Sequence, residues 1–136
     1  MKKSNLLASL LLSLVVSTLS LAQHKFSNCS AAFLDNKMVV NEYTDKGKCM
    51  ISTAAKGQLS VCTADLSPKQ CIPVDKIMFK VAIRDKSTKT MVMFSNENYK
   101  QVDVQKVLSK CKKGDHIVLL TINNEYALPH NEILVQ

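Results

Sequence analysis

The sequence predicts a mainly β protein, a sandwich of about seven strands with one amphipathic helix packed on its edge or end. Three observations carry this. "KIMFKVAIR" (76–84) alternates with a period of two, Ile77, Phe79, Val81 and Ile83 on one face and Lys80 and Arg84 on the other. "HIVLLTI" (116–122) is apolar on both faces, as a central strand is. Only "VDVQKVLSKCKKG" (102–114) carries a helical period.

Taken in order, "KMVVNEY" (37–43) reads as a first strand that ends in the polar "TDKGK" turn. "CMIST" (49–53) and "QLSVC" (58–62) follow, and the "AAKG" between them is a hairpin signal, with glycine able to take the left-handed position. The strand at 76–84 turns through "DKSTK" into its expected hairpin partner, "TMVMFS" (90–95). "EILV" (132–135) closes the chain after the Leu128-Pro129 break, and no repeat or linker divides the domain.

In the helical stretch, Val104, Val107, Leu108 and Cys111 form one stripe at i, i+3, i+4 and i+7. Asp103 is placed to cap the start, and Gly114 to take a left-handed C-cap. Lys110, Lys112 and Lys113 fall at the negative end of the helix dipole, where cations are favoured. With Lys106 they lie away from the apolar stripe, so these four lysines form a candidate binding patch for an acidic partner.

Residues 1–22, "MKKSNLLASLLLSLVVSTLSLA", have the pattern of a cleavable signal peptide: two lysines, a leucine-rich core, and small Ser20 and Ala22 around a cleavage point before Gln23. The expected result is an exported protein, periplasmic or secreted, with residues 23–136 as a single β-sandwich domain and no membrane span after cleavage. The formal charge of +7 becomes +5 once Lys2 and Lys3 are removed. That surplus suits an acidic protein or another anionic polymer of the envelope. Nucleic acid is a poor partner for an exported chain with only 5% aromatic residues.

Five cysteines, Cys29, Cys49, Cys62, Cys71 and Cys111, all follow the leader, and in an oxidising compartment they read as a partial disulfide framework. Matching the apolar faces of the 49–62 hairpin sets Ile51 opposite Val61 and turns Cys62 outward beside Ser60. This favours a Cys62–Cys71 bridge, leaving Cys29, Cys49 and Cys111 to compete for a second bond or remain thiols. Metal ligation is not expected, because C-x-x-C and H-x-x-x-H spacings are absent.

No catalytic constellation is apparent, and no cofactor motif. Cys111 belongs to the core stripe, His116 lies across the corner without an acid to orient it, and His130 follows Pro129 in a loop. G-x-S-x-G and phosphate-binding glycine loops are missing from a chain with three glycines.

From Asp75 to the end, "DKIMFKVAIRDKSTKTMVMFSNENYKQVDVQKVLSKCKKGDHIVLLTI" and "LPHNEILV" resemble the C-terminal periplasmic region of the gliding-motility protein GldM. The likeness rests on the F-x-V-x-I strand, the short hairpin, the amphipathic helix, and K-K-G-D entering an apolar strand. It implies an immunoglobulin-like β-sandwich and a role in binding other parts of a type IX secretion and gliding assembly. The leader and the short length depart from that family. The expected function is therefore a non-enzymatic, exported β-domain that binds another envelope protein. A small secreted enzyme or hydrolase inhibitor, with a site not visible as a local motif, is the alternative.

Overall fold

Strands that alternate strictly must each present one face to a core, and here two sheets do so from opposite sides. The computed structural model describes residues 28–65, 72–122 and 125–136. Along the chain these form β1 (Asn28–Leu34), β2 (Lys37–Met38), β3 (Met50–Ile51), β4 (Gln58–Asp65), β5 (Ile72–Ile77), β6 (Phe79–Arg84), β7 (Met91–Met93), β8 (Val102–Asp103), α1 (Val104–Leu108), β9 (His116–Thr121), β10 (Tyr126–Ala127) and β11 (Glu132–Val135). The first sheet runs β10-β1-β4-β5, with β2 on β1 and β8 on β4; the second runs β3-β11-β9-β6-β7. The protein is mainly β, and among the described residues two sheets lie in a sandwich-like arrangement with one short helix.

The core between the sheets takes Leu59 and Val61 from the first, Val81, Ile117, Leu119 and Ile133 from the second, and Val104 and Val107 from α1. Each is essentially inaccessible to water, and a fully buried side chain of this size contributes about 1.5–3 kcal/mol. β9 lies between β11 and β6, as its two apolar faces predict, and β7 is the hairpin partner of β6.

Four sequence expectations need correction. The stretch 76–84 is not one strand: it breaks at Met78, with β5 joining β4 in the first sheet and β6 joining β9 in the second. The alternation persists through the break because both sheets need inward side chains, so the period does not report which sheet a residue joins. The 49–62 hairpin does not form. β3 lies parallel to β11 and β4 antiparallel to β1, so residues 52–57 carry the chain from one sheet to the other. Gly57 makes that crossing at φ +126°, where a Cβ would sit 2.6 Å from Asp35 Oδ2.

The first strand is β1, not 37–43. Asp35 and Asn36 form a two-residue turn between Leu34 and Lys37, with Asp35 at φ 53°. Val39 still donates to the Ala32 carbonyl at 2.9 Å; beyond it the chain leaves the β1 ladder and closes on itself through the Val40–Cys49 bridge and an Asn41 N–H bond to the Lys48 carbonyl. Finally, α1 ends at Leu108 rather than at a Gly114 cap. Asp103 accepts from the Gln105 N–H at 3.0 Å, as expected of the N-cap, but the C-cap is Ser109 in right-handed conformation. Lys110 and Cys111 continue the curl through bonds to the Val107 and Leu108 carbonyls. Cys111 thus stays on the buried stripe although the regular helix has ended. Gly114 is left-handed (φ 97°) in the following turn and donates to the Val135 carbonyl at 2.8 Å.

Candidate functional site

The β6–β7 hairpin and the corner after α1 meet at one end of the second sheet. Between them lies an open cleft of about 340 Å³, whose lining includes Ile83, Val92, Phe94, Asp85, Lys110, Lys112 and Asp115. Ile83 and Val92 are directly paired across β6 and β7, so both point to the core side of the sheet. The inter-sheet core opens to water here: Val92 is 66% exposed, and its neighbours Met91 and Met93 are also exposed.

Asp115 holds the two walls together. It is buried, and its carboxylate accepts from the Lys86 N–H at 3.1 Å and from the Lys112 N–H at 2.8 Å. Asp85 organises the hairpin turn, accepting from the Ser87 and Thr88 N–H groups at 2.7 and 2.9 Å. Those two bonds, Thr88 first, hold its carboxyl below the usual carboxylate range. Both carboxylates are thus turned into the backbone, and lysines face the opening. The turn 85–90 and the corner 106–115 together carry six lysines against two aspartates. Lys110 places its ammonium over the Phe94 ring, 5.3 Å from the centroid, a cation–π contact.

Of the four lysines of the sequence patch, Lys110 and Lys112 line the cleft, whereas Lys106 and Lys113 are exposed outside that lining. The sequence missed the apolar half of the site. The clue was "TMVMF", where no charged side chain guards the strand.

β7 is also an open edge. The Phe94 N–H donates to the Val81 carbonyl and the Asp85 N–H to the Thr90 carbonyl, both at 2.9 Å. Such rungs recur at every second residue of an antiparallel pair. Val92 therefore turns its backbone groups toward Ile83, while Met91 and Met93, opposite Arg84 and Ala82, turn theirs away from β6. Among the described residues no strand lies beyond β7.

The other candidates lie elsewhere. Cys62 shares a face with Ser60, as expected, but that face is covered rather than outward: Cys62 is 1% exposed, with its Sγ 3.5 Å from Ser60 Oγ. Its proposed partner Cys71 lies outside the described residues. Among the described residues Cys29, Cys49, Cys62 and Cys111 carry free thiols, not a disulfide framework. Burial pushes the Cys49 and Cys111 thiols up to about 11, so near neutrality both are thiols rather than the thiolate a nucleophile requires. Their Sγ atoms face the His130 carbonyl at 3.6 Å and the Val107 carbonyl at 3.3 Å. His130 is half-buried, edge-on to Tyr43 with ring centroids 5.6 Å apart. His116 lies on the outer face of the second sheet between Arg84 and Leu134.

Among the described residues no three His, Cys, Asp or Glu side chains are grouped to hold a metal ion, and no helix is long and apolar enough to cross a membrane. Comparison with known proteins returns no matching family model, curated protein or solved structure.

Proposed function

We propose that the protein is an exported, non-enzymatic β-domain that binds another protein of the cell envelope, as an accessory of a GldM-like secretion and gliding assembly. The observation that carries the binding role is the coincidence, at one rim, of an uncovered apolar strand, its unpaired backbone edge and a surplus of lysines. Edge pairing and apolar contact supply affinity, and flanking lysines raise the association rate. Export rests on the leader pattern of residues 1–22.

Photo-crosslinking in the exporting cell tests this. A crosslinking residue at Met93 should trap one envelope protein, and the same residue at Lys37, on β2 of the first sheet, should not. No adduct from Met93, or equal adducts from both positions, counts against the reading. N-terminal sequencing of the exported form should begin at Gln23; an intact Met1 would refute cleavage.

A further inference from the structure

From the phase of the β6–β7 rungs, we infer that the occupant of the rim is an extended segment that adds to β7 as a sixth strand and places an acidic side chain in the cleft. The inference rests on the protein-binding reading and specifies what is bound. Met91 and Met93 each offer an outward N–H and C=O, two residues apart, which is the spacing of one ladder repeat. An incoming strand that bonds to both must place one residue opposite Val92. Side chains directly opposite share a face, so that residue projects to the core side, beside Val92 and toward Lys110 and Lys112 of the cleft lining.

The chemistry of that side chain follows from the lining. Asp85 and Asp115 are occupied by backbone N–H groups, so they bind the walls rather than an incoming cation. The positive charges in the lining are the ammonium groups of Lys112 and of Lys110, the latter over the Phe94 ring. A carboxylate reaching from the position opposite Val92 meets these lysines, with its methylene stem against Val92. The occupant's next residues on either side point to the other face, where Met91 and Met93 are exposed and adaptable, so apolar residues fit there. The segment is therefore apolar–acidic–apolar, extended and free of proline.

A displayed library of random ten-residue peptides, selected on the cleaved protein, tests this. Enriched peptides should carry Asp or Glu flanked at both neighbours by apolar residues, without proline. Their binding should slow amide exchange at Met91 and Met93 at least tenfold. Replacing Met93 by Pro removes one outward donor at a position where an edge strand tolerates proline, and should weaken binding at least tenfold. The Lys110→Gln, Lys112→Gln double variant should weaken it several-fold at low salt and far less at high salt. Circular dichroism and melting of both variants establish that they fold. An absence of enriched peptides, or enriched peptides that leave the Met91 and Met93 amides unprotected, overturns strand addition. If Met93 still crosslinks to an envelope protein in that case, the binding role stands and only the mode of capture falls.

Discussion

The two sheets treat their outer faces differently. On the first, Ala31, Phe33 and Cys62 form a small second core, and the chain covers it itself by laying Met38 and Tyr43 of the 37–49 excursion over it. The Tyr43 hydroxyl fastens that cover by donating to the Ser30 carbonyl at 2.9 Å. On the second sheet, one outer row runs Met50, Leu134, His116, Arg84 and Met91 across all five strands, and the next runs Glu132, Val118, Ala82 and Met93. Ala82 and Val118 in these rows are buried, and Arg84 pairs with Glu132 at 2.7 Å. At its β7 end this sheet has an edge beyond which no described strand lies. Apolar surface that the chain covers serves stability; the surface left open at β7 is where we propose that a partner binds.

The contrast is sharpest for large-to-small substitutions. Phe33→Ala under the cover should cost about 3–5 kcal/mol in chemical denaturation, as for other buried phenylalanines. Met93→Thr at the rim should stay within about 0.5 kcal/mol of wild type. Comparable losses would mean that β7 is packed rather than open.

Asp115 is the next test, since it belongs to the rim but is buried. Asp115→Ala strands the Lys86 and Lys112 N–H groups and should destabilise by about 1–3 kcal/mol. It should also separate the cleft walls, seen as shifts of the Lys86 and Lys112 amide resonances. Unchanged stability would show that the two walls do not depend on this carboxylate.

Alkaline pH should act mainly on the interior and the cover. Burial, with the adjacent Cys29, pushes the Tyr43 phenol up to about 12, and burial alone places the Cys49 thiol at about 11. Both groups are neutral when protonated, and their folded values lie above the unfolded ones. Their contribution is therefore complete below the unfolded values and lost as pH rises toward the folded ones. The melting temperature should fall between about pH 9 and 12, with Tyr43→Phe and Cys49→Ala each flattening the fall. The smallest effect is expected at Asp85. The contribution of its depressed carboxyl is present above the ordinary carboxylate range and lost as pH falls through the lower folded value. Below about pH 4 the Ser87 and Thr88 amide resonances should move with little change in global melting.

Much of the fold could be read in the chain. The alternation at 76–84 and the doubly apolar 116–122 predicted a two-layer β protein, and the 104–111 stripe located the helix. Sheet membership was hidden, because inward alternation looks the same on either sheet; this is why the break at Met78 and the crossing at 52–57 were missed. β1 was missed although Asp35-Asn36 is a two-residue turn signal, because the strand reading began after that turn. At the rim, the lysines were visible as charge, but their apolar partners on β7 come from a hairpin some twenty residues earlier. Only the register places them together.

The central claim, that β7 is an edge left open for a partner, is tested most directly by amide hydrogen exchange in the free protein. Val92, bonded to Ile83, should exchange at least tenfold more slowly than Met91 and Met93, whose N–H groups point outward. Met91 and Met93 exchanging as slowly as Val92 would show that something already occupies the edge, and would contradict the account.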